Sequence, residues 1–411
     1  MRGFLLVLGL LASSMAPLVV RAEGRPRLVQ SRAALLRPET LAPLLARGEL
    51  ALIESNDDGS ARQVVVLSAI GAPPEQVFDV ITDVERYPEF MPSVVSIQIV
   101  KRQGDMVAYD WELDVPVFNL KGVRAMRTRR PSLIEVRGVA GNFKESRERF
   151  ELYPLDGGKR TLVAVYRSID VESAGLIMKT MIRMEPSMEQ GVNLATGFVQ
   201  VRDLRRRVEG LPLPGPRKPQ TGAVPPFDRI AIGDGGLKLD RIEPLLALGP
   251  LALIESNRDG SLRQVVLLAE VEASREKLAQ VIQAAERYPE FLPNFAKQTV
   301  TPAGDHQLKL EYELDVPLAN LEGTSLMAIE PNGDVDVVAV DGDVKRGRWR
   351  WELVPFGAKT LPVHYAYSDI GETSFFVRQL IARQPLFEHG IVVAASTVAI
   401  IGMKARAEGR R

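Results

Sequence analysis

No cysteine occurs in the 411 residues, which removes disulfides, thiolate metal ligation and cysteine-linked acylation from the options open to this chain. Histidine is nearly as scarce. The three present, His306, His364 and His389, make a poor ligand set for a metalloenzyme. A charge surplus is missing too: Lys+Arg and Asp+Glu both number 52, so no overall field recruits nucleic acid or an anionic membrane. Long apolar runs are also lacking. Beyond the N-terminus the longest, Ile391–Met403, falls short of the roughly 20 residues that a membrane-spanning helix needs. What is there, 45% hydrophobic and 25% charged residues, is the make-up of a globular protein with about two cores.

The first residues read MRGFLLVLGLLASSMAPLVVRAEG. Arg2 supplies a positive start, Phe4–Leu11 an apolar run, and Val20-Arg21-Ala22 a small-x-small site, the pattern of a cleaved export signal over residues 1–22. An N-terminal membrane anchor is the other reading; Ser13, Ser14 and Pro17 interrupt the apolar stretch. Export from a cell with two membranes would place the chain in the periplasm.

The chain then repeats itself. LALIESNDDGSARQVVVL (Leu50–Leu67) faces LALIESNRDGSLRQVVLL (Leu251–Leu268), identical at 15 of 18 positions. ERYPEFMP (Glu85–Pro92) returns as ERYPEFLP (Glu286–Pro293), and LDVP recurs at Leu113 and Leu314. A period this long marks a duplicated domain rather than a solenoid. Between the copies, six prolines lie between Pro212 and Pro226, the composition of a semi-rigid linker. The organisation expected is an export signal at 1–22, one domain over 30–208, a linker over 209–230 and a second domain over 231–408.

Each copy opens on a β-rich run (Arg62–Ile70 in the first), continues into a short helix started by Pro73-Pro74, and bends at the ERYPEFxP phrase, whose prolines forbid a continuing helix. Alternating segments follow. Trp111, Leu113 and Val115 share one face against Asp110, Glu112 and Asp114, and Tyr312, Leu314 and Val316 repeat the split. Glu148, Phe150 and Leu152 oppose Arg147, Arg149 and Glu151, matched by Trp349, Trp351 and Leu353. The sheet is therefore antiparallel, with one wet face and one apolar face. A long helix closes each copy, after kinks at Pro186 and Pro385. Apolar turns precede both kinks, and Gly175–Met184 reads as a lid hinged near Pro186.

APPEQVFDVITDVERYPEFMP (Ala72–Pro92), followed by the meander and the long helix, resembles the START-like superfamily, in particular its polyketide cyclase/dehydrase and coenzyme Q-binding groups. Asp83, Tyr87, Pro88, Phe90 and Pro92 carry that phrase; the second copy keeps Tyr288, Pro289, Phe291 and Pro293 but has Ala284-Ala285 where the first has Asp83-Val84. The resemblance implies an α+β fold of two tandem helix-grip domains, each a curved antiparallel sheet of seven strands wrapped around a long C-terminal helix. It also implies an apolar cavity for lipids, isoprenoid quinones, sterols or polyketides, with no cofactor.

The cavity wall expected in the first copy comprises Tyr87, Phe90, Trp111, Leu113, Glu148, Phe150, Leu152 and Tyr166. In the second it comprises Tyr288, Phe291, Tyr312, Leu314, Trp349, Trp351, Tyr365 and Tyr367. Each aromatic could equally fill a solid core. Glu148 is the acidic side chain that alternation turns inward in the first copy, a ligand anchor or general acid unless a register shift turns it out toward an arginine. His364 falls outward by parity with Tyr365. The basic ends Val201–Arg207 and Lys404–Arg411 suit either a helix macrodipole or transient membrane contact. The function expected is non-covalent binding of a hydrophobic small molecule or lipid, without nucleic acid, metal or cofactor. The rivals are a cyclase or dehydratase working through Glu148 and Tyr166, and a solidly packed interaction module.

Overall fold

The computed structural model describes residues 29–410 except 57–60, 116–117, 176–178, 180–181, 183–186, 214, 216–219, 234–235, 293, 317–318 and 372. The export signal read over 1–22 lies outside these residues, as do most of the lid segment and its hinge at Pro186.

Among the described residues, sixteen strands form one continuous antiparallel sheet. The first copy supplies α1 (Pro38–Leu45), β1 (Glu49–Ser55), β2 (Ala61–Ile70), α2 (Pro74–Thr82), the meander β3 (Val94–Gln103), β4 (Met106–Val115), β5 (Phe118–Arg129), β6 (Leu133–Gly141), β7 (Arg147–Leu155), β8 (Arg160–Ser168), and the grip helix α3 (Ser187–Glu209). The second repeats the order with α4 (Leu239–Leu246), β9 (Leu251–Ser256), β10 (Leu262–Leu268), α5 (Arg275–Gln283), β11 (Phe295–Gly304), β12 (Gln307–Val316), β13 (Ala319–Ile329), β14 (Val335–Gly342), β15 (Gly347–Phe356), β16 (Lys359–Ser368), α6 (Phe375–Arg383) and α7 (Phe387–Ala407). The fold class is the expected one, two helix-grip units, with eight strands in each rather than seven.

The additional strand is β1 or β9, preceded by its own short helix, and it joins the units. Glu49, Leu50, Ala51 and Leu52 pair with Ile254, Leu253, Ala252 and Leu251. Each covers what would otherwise be an open sheet edge. The chain enters this seam through glycine on both sides. A Cβ on Gly48 would lie 2.1 Å from the Ile254 carbonyl oxygen, and one on Gly249 1.9 Å from that of Ile53.

On one side of the sheet the grip helices α3 and α7 cross each other with the same economy of side chains. A Cβ on Gly191 would meet Ala394 Cβ at 2.6 Å, and one on Gly390 would meet Ala195 Cβ at 2.5 Å. Flanking helices α2 and α5 pack beside them. Pro74 starts α2 at a position where its missing N–H costs nothing, whereas Ser274 caps α5 by accepting from Lys277 N at 3.3 Å. On the other side, α1 and α4 cover the six central strands, so Leu50, Leu52, Val65 and Leu67 share a second core with Leu251, Leu253, Val266 and Leu268.

The apolar stretch at the C-terminus runs further than Ile391–Met403. Helix α7 spans 21 residues and is long and apolar enough to cross a membrane, yet half of its apolar window is buried against the sheet and α3. It is a core helix in this fold.

Two buried titratable groups sit between the grip helices. Burial pushes the Asp203 carboxyl up to about 7, against the pull of Arg206; Gln384 Nε2 donates to it at 3.0 Å. Burial pushes His389 down to about 3, helped by Arg202 and Arg206; its ring stacks on Phe198 and contacts Ser256 Oγ at 3.0 Å. A raised carboxyl contributes stability that is full below its ordinary 3.8 and lost as pH climbs through 7. A depressed imidazole contributes stability present above its ordinary 6.5 and lost as pH falls toward 3. The two slopes oppose each other over the shared window. Asp203→Asn should therefore leave a profile rising between about pH 4 and 6.5, and His389→Gln one falling over the same range. Urea midpoints at closely spaced pH values check both. A second expected outcome is that Gly390→Val, which drives a branched side chain into Ala195, lowers stability by about 1–3 kcal/mol in thermal melts.

Candidate functional site

The repeated ERYPEF phrase is a clasp in both copies. Tyr87 Oη donates to the Ile81 carbonyl at 2.6 Å, closing the end of α2, and its ring meets Phe90 edge-on at 5.5 Å. Arg86 pairs with Glu89 at 2.8 Å. From the last turn of α3, Arg207 reaches Glu89 at 2.9 Å and lies 5.5 Å over the Phe90 ring. The second copy reproduces each contact: Tyr288 donates to the Ile282 carbonyl, Arg287 pairs with Glu290, and Arg406 pairs with Glu290 and lies 5.5 Å over Phe291. The basic helix ends thus have a structural task, pinning each grip helix to the bend. Beside the first clasp, Gln76, Asp79, Val80, Asp83, Arg86, Phe90 and Arg207 line an open surface cleft of about 400 Å³.

The interiors differ. In the first unit Glu148 is inward, 4% exposed, and paired with Arg167 at 2.9 Å across the β7–β8 ladder and with Arg124 on β5 at 3.7 Å. Arg167 Nη1 donates to Gln200 on α3 at 3.2 Å. Arg124 lies 5.1 Å over the Trp111 ring, which stacks on Phe143 at 5.9 Å. Burial works against the charge on Glu148, but Arg167 and Arg124 outweigh it and hold the carboxyl below its usual range. Glu148 is therefore a carboxylate counter-ion, unsuited to donate a proton at neutral pH. Burial and its like-charged neighbour Arg124 pull the Arg167 guanidinium down, against Glu148. Burial drives Tyr87 well above its ordinary value and Tyr109 up to about 12, so both stay neutral.

In the second unit the ladder that pairs Glu148 with Arg167 pairs Trp349 with Ala366. Repeat alignment sets Ser325 against Arg124 and Ala399 against Gln200. The charged cluster belongs to the first unit alone.

Most of the expected wall residues come together. Tyr87, Phe90, Trp111, Phe150 and Leu152 belong to the core on the grip-helix side, as do Tyr288, Phe291, Trp351 and Tyr367, with Trp349 packed against it. Leu113, Tyr312 and Leu314 are half-buried on the same strand faces. Tyr166 and Tyr365 are corrections: both lie on the opposite side of the sheet, under α1 and α4. There Tyr166 Oη accepts from Arg32 N at 3.1 Å and Tyr365 Oη from Ile230 N at 3.0 Å, tying each incoming chain to the sheet. Gln63 and Gln264 help, bonding Gln30 and Asp228 through both backbone groups. His364 is the converse correction. It points inward and stacks on Trp351 at 4.0 Å. Strand β8 is apolar at every position from Leu162 to Tyr166 because both its faces are covered, so alternation could not set its parity. Choosing the aromatic as the inward residue inverted the strand and hid Arg167. The signal for Arg124 was present in its alternation with Leu120 and Met126.

Beyond the grip helix, the same face of the first unit's meander is only half-buried at Ile97, Ile99, Val107, Leu113 and Arg124, whose side chain is 17% exposed. This is an apolar strip with a charged cluster at its inner end.

Residues 70–190 match the family model described as polyketide cyclase / dehydrase and lipid transport. The match runs from the last residue of β2 to the first turn of α3, within the first unit, of which the second is an internal copy. The fold is START-like, in two tandem copies. Among solved structures, the di-domain ARO/CYC StfQ of the steffimycin biosynthetic pathway is 14% identical, over 84% of this chain and 98% of its own, with a TM-score of 0.29. The Zhui aromatase/cyclase of Streptomyces sp. R1128 is 16% identical over 36% of this chain and 93% of its own, TM-score 0.32. A STAR-related lipid transfer protein fragment of Xanthomonas axonopodis is 15% identical over 39% of this chain and 93% of its own, TM-score 0.30. No curated protein matches the chain. Likenesses this distant leave the chemistry of each START-like interior to be argued from its own residues.

Glu148→Leu leaves Arg167 buried without its counter-charge and should cost about 3–5 kcal/mol. Adding Arg167→Met should recover most of that loss, since the second unit folds with an apolar pair at the same ladder position. Equilibrium unfolding of the single and double variants checks the recovery.

Proposed function

We propose that this protein binds a hydrophobic ligand, such as a lipid or isoprenoid quinone, non-covalently in its first START-like unit, as an exported carrier or sequestering protein. The observation that carries the reading is the half-buried apolar strip Ile97–Ile99–Val107–Leu113, ending on a buried polar cluster. A long apolar body and a distinct polar end are what such a wall complements. Lipid transport in the description of the matching family supports the reading, and the sequence of residues 1–22 supports export. An acyl chain gains about 0.8 kcal/mol per buried methylene against an association cost of roughly 4 kcal/mol or more, so chains under about ten carbons bind no tighter than about 1 mM.

The enzyme reading of this site loses its general acid and its tyrosine. Glu148 is held as a carboxylate by Arg167 and Arg124, and Tyr166 lies across the sheet from the strip. Native mass spectrometry of protein purified from a periplasmic extract, followed by lipid extraction, tests the proposal. The expected result is one co-purified amphiphile per chain, displaced by Val107→Trp. A protein that is empty as isolated and takes up no added long-chain lipid or quinone would overturn it.

A further inference from the structure

The charges around Glu148 do not balance. Among the described residues, Glu148 is the one carboxylate within 4 Å of either Arg124 or Arg167, so two guanidinium groups share a single counter-ion. Arg167 takes the closer contact at 2.9 Å, which leaves Arg124, at 3.7 Å, the surplus cation. Two further nitrogens in the cluster, Trp111 Nε1 and Arg167 Nε, are buried without an acceptor; on the acceptor side, Glu148 Oε1 makes no hydrogen bond and the Tyr109 hydroxyl meets Arg124. Guanidinium and indole N–H groups donate and cannot accept. The site is therefore short of negative charge, and two of its buried donors have no acceptor. A neutral hydroxyl or quinone carbonyl would satisfy one donor and leave the charge in excess. A carboxylate supplies two acceptor oxygens and the missing charge.

The position of Arg124 fits such a ligand. Its guanidinium lies over the Trp111 ring, its side chain is the most exposed of the cluster's charged groups, and Leu113 and Val107 are on the same strand and face as Trp111. An amphiphile lying along the strip would bring its head to Arg124 while the Glu148–Arg167 pair stayed intact. The second unit serves as an internal comparison: with Ser325, Trp349, Ala366 and Ala399 at these places it has none of the charge, and only a hydroxyl and an indole N–H as donors.

We infer that the first unit selects amphiphiles with a single anionic head of the carboxylate class, read by Arg124 beside the Glu148–Arg167 pair. This rests on the hydrophobic-ligand reading above and narrows it to the chemistry of the head.

Fluorescence titration of the full-length protein with cis-parinaric acid and with its methyl ester, at pH 8, separates the two. The acid should bind at least tenfold tighter than the ester. Arg124→Gln should abolish that preference, and Ser325→Ala in the second unit should leave both affinities and their ratio unchanged. Equal binding of acid and ester by the unmodified protein would overturn the inference and leave a carrier of neutral ligands. A preference that survives Arg124→Gln would overturn the assignment of the head to this cluster. Binding of neither probe would sink the inference together with the reading it rests on. Circular dichroism of Arg124→Gln shows whether the variant is folded. Where it is not, the acid/ester ratio of the unmodified protein decides the carboxylate preference, and the milder Arg124→Lys, which keeps the charge and should keep the preference, tests the assignment to this cluster.

Discussion

The architecture depends on four backbone pairings. Where Glu49–Leu52 runs antiparallel to Leu251–Ile254, two eight-stranded sheets become one of sixteen. A START-like unit with β1 at its margin would present unpaired N–H and C=O groups to any passing strand. Pairing the two margins removes both liabilities in one contact, and it fixes everything behind them. The grip helices can cross at Gly191 and Gly390 only if the sheets hold them at that separation, and the covering helices α1 and α4 share a core only because the strands beneath them are continuous. Gly48 and Gly249 are the local signature of this demand, since any side chain there would strike the opposite strand.

Duplication also explains why some contacts appear twice and others once. The clasp is a folding device: a tyrosine ends a helix, and an arginine from the grip helix bridges a glutamate and an aromatic ring. Both copies need it, because both must hold a long helix against a bend. The interior cluster stabilises nothing that apolar residues could not, as Trp349 and Ala366 show by occupying the same ladder pair. A buried ion pair is commonly no more stabilising than a well-packed apolar replacement. Its presence in one unit only, with one guanidinium in excess, is the mark of a site shaped by what it contacts rather than by the fold.

Much of this was legible in the sequence. The repeat, the helix-grip architecture and the inward face of the meander follow from self-alignment and from alternation in strands with one wet face, such as Asp110–Val115. Glu148 reads as inward because Arg147 and Arg149 flank it on a strand whose outer face carries charge. Reading failed where alternation has no meaning. Leu162–Tyr166 and Leu361–Tyr365 are covered on both faces, so period-two patterning vanishes and the bulkiest residue misleads. That cover comes from α1 and α4, eight-residue helices each containing a proline, Pro43 and Pro244, which makes them weak signals. The identity of LALIES with its copy, taken as evidence of ancestry, was also the signal for a strand that pairs with its own duplicate.

The inner face that joins the units and the face that meets a ligand make different demands on polarity. Glu49, buried at the start of the seam, is matched by Arg202 at 3.1 Å and Arg205 at 3.2 Å from α3, and Ser68 adds a hydroxyl at 3.4 Å. Arg202 is 15% exposed and its Nε is buried without an acceptor, whereas Arg205 is 32% exposed and reaches water. Arg167 has no such outlet: it is 5% exposed, its Nε lacks an acceptor, and its neighbour Arg124 is a second cation. At the seam Arg205 also pairs with Glu209 at 3.1 Å, so two arginines meet two glutamates, whereas around Glu148 two arginines meet one. Desolvation makes the difference between a surface-relieved structural bridge and an interior that a bound anion would complete.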